Sequence, residues 1–201
     1  MSKRKLHVGC GPQLLRGWIN VDNQPYDGID AVLDVRDGVP YENLDFIFAE
    51  HFIEHLAFDD AQRFLRDCRR ALAPSGVLRL STPNLDWVWI TQYHLGQWQH
   101  ASEAVRDCFW MNKAFRGWGH QFLYNVQTLT ECLREAGFAT VEPTQYGQSR
   151  HEELRNIERH EQYPDGNISH IVIVEATGVA KAKSEMLEGP LKDFRDAVSV
   201  V

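Results

Sequence analysis

Five short runs of apolar and β-branched residues occupy the first 80 residues of the chain, and turn residues or a helical stretch bound most of them. Short runs that are apolar throughout are typical of strands buried on both faces of a parallel sheet. Two similar runs follow in the second half of the chain. Together they predict seven strands, at Lys5–Val8, Trp18–Val21, Ala31–Val35, Leu44–Ala49, Gly76–Leu80, Phe138–Tyr146 and His170–Ala176.

Two helices are predicted between these strands. The first has an apolar face after a predicted N-cap at Asp59 or Asp60, and Pro74-Ser75-Gly76 ends it. The second begins at a predicted capping box of Thr128 and Glu131. Strands that alternate with helices predict an α/β fold, a doubly wound and mostly parallel sheet with helices on both faces. We expect the last strand to run antiparallel.

We expect a single domain over residues 1–177 and a tail over residues 178–201. Two segments do not fit the sheet pattern. Residues 87–124 hold ten of the 22 aromatic residues and predict an aromatic lid. Residues 147–167 form a charged insertion between the last two strands, and we expect it over the carboxyl-end edge of the sheet. Its run of charged residues is typical of a solvated helix face. The alternative is that these side chains make polar contacts with a substrate. The residues concerned are His151, Glu152, Glu153, Arg155, Arg159 and His160.

Charge and cysteine usage narrow the classes of partner. The 21 Lys and Arg residues against 28 Asp and Glu residues give a net charge of −7, which argues against nucleic acid or an anionic membrane as partner. No apolar run approaches the roughly 20 residues of a membrane span, and no signal peptide is expected. The four scattered cysteines predict a reduced, cytoplasmic interior. A small molecule is the predicted partner, and no oligomeric state is predicted.

The segment Gly9-Cys10-Gly11 directly follows the first predicted strand, where glycine lets the backbone approach a ligand closely. Asp22 ends the second strand, in a position from which a carboxylate can accept hydrogen bonds from ribose hydroxyls. Asp34 ends the third strand and can accept a donor from a ligand base. Each feature alone is more typical of a turn, but together they predict a nucleoside site at the carboxyl ends of the strands.

The length of the first crossover indicates which nucleoside. Only residues 12–17 separate the glycine loop from the second strand, too few for a crossover helix, which with its loops takes at least about ten residues. A dinucleotide would place its pyrophosphate on the N-terminus of that helix. Gln13 also stands where a third glycine belongs. A nucleoside without phosphate avoids both difficulties, and S-adenosylmethionine is such a ligand.

Several segments, taken in order, resemble the class I S-adenosylmethionine-dependent methyltransferases. The similarity is closest to small predicted methyltransferases that are often linked to sugar and surface-polysaccharide pathways. It covers roughly residues 6–176. The segments that carry it are Gly9-Cys10-Gly11, Gly17-Trp18-Ile19-Asn20-Val21-Asp22, Asp45-Phe46-Ile47-Phe48-Ala49-Glu50-His51, Glu54-His55 and Leu72-Ala73-Pro74-Ser75-Gly76-Val77-Leu78.

The resemblance implies a Rossmann-like methyltransferase fold and a set of cofactor contacts. Gly9-Cys10-Gly11 would lie beside the methionine part of S-adenosylmethionine, and Asp22 would bind the ribose. Asp34 and Val35 would lie near the adenine, with Ala49, Glu50 and His51 along the exposed side of the cofactor. The chain departs from the family pattern at three points, which are His7 in place of an acidic residue, Gln13 in place of a glycine, and the truncated crossover.

The segment His51-Phe52-Ile53-Glu54-His55 also matches H-x-x-E-H, in which two histidines on one helical turn bind zinc beside a catalytic glutamate. The motif follows directly from a buried strand, so no long helix is expected to carry both ligands. Zinc needs a third protein ligand, and the sequence nominates none. No metal site is therefore predicted. The favoured alternative is that one of these histidines packs on the cofactor or substrate and the other is hydrogen-bonded at a helix start.

We expect transfer of the sulfonium methyl group to a small polar acceptor, such as a sugar or another hydroxyl-bearing metabolite. An oxygen nucleophile must also lose its proton, and a histidine is the natural base near neutral pH. The candidates are His55, His120 and His51. The alternative functions are an NAD(P)-dependent oxidoreductase on the same fold and a non-catalytic binding module.

Overall fold

The computed structural model describes residues 3–160, 168–180 and 184–198. Seven strands form one sheet in the order β3-β2-β1-β4-β5-β7-β6. Their bounds are Lys5–Val8 (β1), Ile19–Asp22 (β2), Ala31–Val32 (β3), Leu44–Glu50 (β4), Leu72–Pro83 (β5), Thr140–Pro143 (β6) and Ile171–Thr177 (β7). The first five strands pair in parallel, whereas β7 runs antiparallel to both β5 and β6. The predicted fold class and the antiparallel last strand are confirmed.

Five α-helices accompany the sheet in the described part of the chain, at Phe58–Ala71 (α1), Leu85–Gln92 (α2), Ala101–Arg116 (α3), Val126–Glu135 (α4) and Glu188–Val198 (α5). Helices α1 and α4 bury their apolar faces in the main core, where Phe64, Leu65, Leu129 and Leu133 are fully buried. Helices α2 and α3 make up most of the aromatic segment. None of the described helices has the length and apolar character needed to cross a membrane.

Helix α5 lies in the predicted tail. Its Phe194 ring packs edge-on against Phe58 and Phe122 of the main core, and Arg195 forms an ion pair with Asp59. Residues 181–183 and 199–201 of the tail, and residues 161–167 of the charged insertion, lie outside the described residues. The described part of the tail is therefore joined to the core through one helix.

Several predicted strand boundaries are wrong. The sixth strand covers only Thr140–Pro143 of the predicted Phe138–Tyr146. The third strand ends at Val32 rather than Val35, because the Asp34 carboxylate accepts a hydrogen bond from Arg36 N and caps a 3-10 turn over Val35–Asp37. The fifth strand begins four residues earlier than predicted, and the segment expected to end the first helix belongs to it. Pairing between Leu44 and Leu72 starts this extension.

Both predicted helix N-caps are also wrong. Helix α1 begins directly after Ala57, so Asp59 and Asp60 lie inside its first turn. Their negative charges interact favourably there with the positive end of the helix dipole. Helix α4 is capped by Asn125, whose side chain accepts a hydrogen bond from Thr128 N. Glu131, the other half of the expected capping box, instead pairs with Arg134.

The second face of the sheet carries a smaller apolar cluster and an unusual number of polar groups. Trp18, Phe46, Phe48, Val77 and Leu154 form the cluster. Side chains two residues apart on a strand share a face, so Arg79 lies on the same face as Val77. Its guanidinium is fully buried, pairs with Glu158 and Glu175, and donates to Gln148 O at 2.9 Å. These contacts attach the charged insertion to the centre of the sheet.

Replacing Arg79 by Met should destabilise the fold strongly. The substitution leaves the buried carboxylates of Glu158 and Glu175 without their counter-charge, and breaking a buried ion pair costs about 3–5 kcal/mol. The free energy of unfolding is measured by urea titration. The matched control is Arg150→Met, because the Arg150–Glu142 pair is exposed and exposed pairs contribute about 0–1 kcal/mol. Equal losses in the two variants would contradict the assignment.

Candidate active site

A cavity of about 1150 Å³ opens at the carboxyl ends of β1 and β4. Four parts of the chain form its walls: the glycine loop, the turn after β4, the aromatic segment and the charged insertion. Ligand sites in proteins usually measure about 300–1,000 Å³, so this cavity is large enough for a cofactor together with a small second ligand. The lining residues include Gly9, Cys10, Gln13, Glu50, His51, His55, Trp87, Trp110, Trp118, His120, Arg159 and His160.

The two glycines of the loop are required for different structural reasons. Gly9 has φ +65°, and a Cβ there would clash with the Phe52 ring, so this glycine permits close packing under the loop. Gly11 has φ +52°, and a Cβ there would meet no atom within 4 Å. The first glycine therefore serves packing, and the second leaves open space beside the backbone.

The short first crossover contains turns and no helix, as its length predicts. Hydrogen bonds of the Asn20 side chain hold this crossover in place. Its amide accepts from Leu15 N at 2.8 Å and donates to Leu15 O and Trp18 O at 3.1 and 3.0 Å. Asn20 was not predicted to have this role, although a polar residue within an apolar strand is the sequence signal for it.

His7, which stands in place of an acidic residue, is fully buried and stacks on Phe48. Burial lowers its pKa to about 4, so the ring is neutral at pH 7. Its Nδ1 lies 3.1 Å from Asn20 Oδ1, an acceptor, and so carries the proton. The Nε2 lone pair then faces Arg159 Nη2 at 3.4 Å.

Asp22 lies beside the glycine loop. One carboxylate oxygen accepts from Gly11 N at 2.9 Å and the other from Gln24 N at 3.0 Å. It is half-buried and is not among the described residues that line the cavity. Each carboxylate oxygen has a second lone pair, so Asp22 holds the loop and can still accept from a ligand hydroxyl.

The residues predicted near an adenine are placed differently. The Asp34 carboxylate is engaged by the Arg36 guanidinium, whose hydrogen bonds lower the pKa of that carboxyl. Val35 is buried in the main core. Neither belongs to the cavity lining in the described part of the chain. Their contact with a cofactor stays a prediction.

Glu50 and Arg159 join the end of β4 to the charged insertion. Glu50 is 4% exposed and accepts from Arg159 N at 2.8 Å, His160 N at 3.2 Å and Arg159 Nε at 3.2 Å. Burial raises the pKa of this carboxyl, but the backbone hydrogen bonds from Arg159 and His160 and the interactions with the His160 side chain together lower it, and the net direction is downward. Arg159 Nη1 also donates to Gln13 O at 3.2 Å. Sequence analysis weighed Arg159 only within a charge run, because its partners are 109 and 146 residues away.

The three candidate histidines lie on one wall of the cavity around Glu54, which is fully buried. His51 and His55 flank Glu54 in a turn after β4, and His51 has φ +46°. The ring centroids of His55 and His120 are 5.1 Å apart. His120 Nδ1 donates to Ala114 O at 2.7 Å, which leaves Nε2 as the acceptor nitrogen.

The aromatic segment also lines the cavity, with Trp87, Trp110 and Trp118 among its lining residues. Trp110 and Trp118 are 41% and 69% exposed, and Arg106 and Lys113 each lie over one of these rings, at 4.9 Å from its centroid. Asp107, buried in α3, accepts hydrogen bonds from His94 and Trp98 and so holds the preceding loop. The predicted role of this segment as a lid stays a prediction.

Comparisons with known proteins identify the family. A family model described as a methyltransferase domain matches residues 2–143, which is more than half of the chain. The chain belongs to this methyltransferase family. The match confirms the resemblance to S-adenosylmethionine-dependent methyltransferases and makes the chain a transferase with S-adenosylmethionine as its cofactor. The link to sugar pathways stays a prediction. No curated protein sequence matches the chain.

Solved methyltransferases share the fold at low sequence identity. A SAM-dependent methyltransferase from Archaeoglobus fulgidus is 16% identical with a TM-score of 0.56, and the match covers 87% of this chain and 85% of that one. The structure of a DhpI–SAH complex is 14% identical with a TM-score of 0.53, covering 90% and 78%. The CMeT domain structure of the citrinin polyketide synthase is 14% identical with a TM-score of 0.51; the match covers 89% of this chain but only 47% of that one.

The methyltransferase should lose stability in mild acid because of His7. The unfolded chain binds a proton at His7 near pH 6.5 and the folded chain only near pH 4, so acid favours unfolding. This contribution is complete above pH 6.5 and is lost as the pH falls towards 4. We expect His7 to account for about 2 kcal/mol of the loss between about pH 7 and pH 5.

Urea unfolding at both pH values measures this loss, and His7→Gln is the comparison because glutamine does not titrate. The difference in unfolding free energy between the wild type and the variant should shrink at the lower pH. An identical pH dependence in both proteins would show that His7 is not neutral in the fold.

Proposed function

We propose that this methyltransferase transfers a methyl group from S-adenosylmethionine to a small polar acceptor, a hydroxyl-bearing metabolite such as a sugar. The observation that carries the proposal is that one cavity brings four features together. They are the glycine loop, the Glu50–Arg159 pair, the wall formed by the three candidate histidines, and the exposed tryptophans. Its volume of about 1150 Å³ accommodates two ligands side by side. The four cysteines are unpaired thiols, which supports the predicted cytoplasmic setting.

The residues around the glycine loop fit this cofactor. The open space beside Gly11 leaves room for part of the cofactor, and Asp22, which is hydrogen-bonded to Gly11 N, can accept hydrogen bonds from the ribose hydroxyls. Two of the five N–H donors of Arg159 remain after its contacts with Glu50, Gln13 and His7, and its side chain is 29% exposed. Arg159 can therefore bind the methionine carboxylate, a contact that the short crossover, which contains no helix, does not provide. When bound, S-adenosylmethionine supplies a methyl group already activated by the sulfonium.

The other residues of the cavity orient the acceptor and exclude water. The exposed parts of the Trp110 and Trp118 rings suit contact with a sugar-like ring, and aromatic faces also attract a sulfonium cation. Alignment of two bound reactants in a closed site supplies several kcal/mol of rate enhancement. The histidine wall supplies the group that takes the acceptor proton. His120 is the first candidate among His55, His120 and His51, because its Nδ1–H is committed to Ala114 O.

Cofactor binding depends on Asp22 and Arg159. Removing either charged partner by Asp22→Ala or Arg159→Met should weaken S-adenosylmethionine binding about 10- to 100-fold, since a hydrogen bond to a charged group contributes about 1.5–3 kcal/mol. Isothermal titration calorimetry with S-adenosylmethionine measures the dissociation constant. Asp27→Ala is the matched control, because Asp27 is exposed on the loop after β2.

The same titration includes NAD⁺ as a second probe. Binding of NAD⁺ in the absence of S-adenosylmethionine binding would overturn the proposed function. Unchanged affinity in Asp22→Ala would remove Asp22 from the cofactor site.

Proton removal depends on the histidine wall. Replacing the histidine that accepts the proton by Ala should lower the single-turnover rate about 10²- to 10⁴-fold, the usual contribution of a positioned base. His55, His120 and His51 are each replaced, and methyl transfer from labelled S-adenosylmethionine is followed on a panel of hydroxyl- and amine-bearing small molecules. Cofactor binding is measured separately. Wild-type rates in all three variants would exclude a histidine base.

A further inference from the structure

We propose that Glu54, His55 and His120 bind a divalent transition-metal ion on the wall of the cavity. Each side chain offers one ligand atom, and the three atoms all lie within 4.8 Å of one another. Ligands about 2.1 Å from a tetrahedral ion lie about 3.5 Å apart, so shifts of about 1 Å bring all three onto one ion. His55 and His120 line the cavity, so the ion would face the acceptor.

The strongest observation is the state of Glu54. Its side chain is fully buried, and Oε2 accepts from Thr82 Oγ1 at 2.9 Å. The other oxygen, Oε1, has no hydrogen-bond partner among the described residues. His51 Nδ1 lies 3.4 Å from Oε1, and His55 Nε2 lies 4.0 Å from it. A buried carboxylate oxygen without a donor is costly, and a cation beside it removes that cost.

The surrounding structure holds the histidine ligands as metal sites do. Gln121 N and Phe122 N donate to Glu54 O at 2.7 and 3.2 Å, which fixes the His120 segment against the turn after β4. His120 donates Nδ1–H to Ala114 O, which leaves Nε2 as the nitrogen with a lone pair for an ion. Histidine ligands usually donate their other ring nitrogen to a carbonyl or carboxylate in this way, and ligating carboxylates are themselves hydrogen-bonded, as Glu54 is by Thr82.

The set takes Glu54 in place of His51 from the H-x-x-E-H segment, and His120 supplies the third ligand. It lies 65 residues after His55, and only the fold brings the two rings together. Two imidazoles and one carboxylate suit Zn²⁺, Mn²⁺ or Fe²⁺, whereas Mg²⁺ prefers oxygen ligands. Three protein ligands also leave coordination positions open towards the cavity.

An open position gives the ion a role in the reaction, and this role rests on the proposed function. An acceptor hydroxyl bound to the ion has a lowered pKa, since a bound cation stabilises the oxyanion. Its O–H bond would break, with the proton passing to solvent outside the closed site and the electron pair staying on oxygen. That oxygen would then form the O–CH3 bond as the S–CH3 bond of the sulfonium breaks. Two of the three candidate histidines are then metal ligands. Metal binding itself depends only on the geometry of Glu54, His55 and His120.

Isothermal titration of the EDTA-treated protein with ZnCl₂ tests the site. We expect one equivalent to bind, with at least about 100-fold weaker binding in Glu54→Gln and His120→Ala. Thr82→Val should weaken binding about 10- to 100-fold, the usual effect of removing a group that orients a ligand. His100→Ala is the matched control, since His100 is exposed outside the cavity lining and should leave the affinity unchanged. Equal affinity in all variants would overturn the proposal.

Thermal melting shows whether the variants fold. Glu54→Gln removes a buried charge, so without metal it should melt at or above the temperature of the EDTA-treated wild type. Zn²⁺ should raise the melting temperature of the wild type but not of Glu54→Gln. Absence of a Zn²⁺ effect on the wild type would overturn the proposal.

Titration with S-adenosylmethionine separates the two proposals. Zinc binding without S-adenosylmethionine binding would remove the proposed function and leave the metal site. Binding of S-adenosylmethionine without zinc would remove the metal site and leave the proposed function with a histidine base.

Discussion

The ion pair between Glu50 and Arg159 joins the parts of the chain that form the cavity. Glu50 ends β4, and Arg159 brings the charged insertion across the edge of the sheet to the glycine loop at Gln13. A carboxylate this deeply buried is tolerated only when charge and hydrogen bonds compensate its desolvation. The two backbone N–H groups and the guanidinium do so, and each contact draws the insertion over the carboxyl-end edge.

The same principle governs the second face of the sheet. His7, Asn20 and Arg79 are buried there, where a crossover helix would normally cover apolar side chains. His7 hydrogen-bonds to Asn20, and Arg79 pairs with Glu158 from the insertion. The short crossover and the insertion therefore depend on one another. The loop has no helix and leaves open space beside Gly11, and the insertion brings Arg159 to Gln13 of the same loop.

Local patterns predict the sheet well and its boundaries less well. All seven strands occur near their predicted positions, because alternation of apolar runs with turns is a local property of the chain. The predicted N-caps were wrong for both helices. Asn125 caps α4 in place of Thr128, and Ala57 precedes α1 without a side-chain cap. The choice between neighbouring caps depends on how the helix packs, which sequence periodicity does not report.

The sequence by itself determined the fold class, the family and the loop from Gly9 to Gly11, since these depend on residues close together along the chain. Only the tertiary structure decided which side chains meet in the cavity. His120 lies beside His55, and Arg159 beside Glu50, because the order of strands in the sheet brings distant segments to one edge. Such contacts have no local pattern, and their cost and benefit appear only when burial removes water from the charged groups.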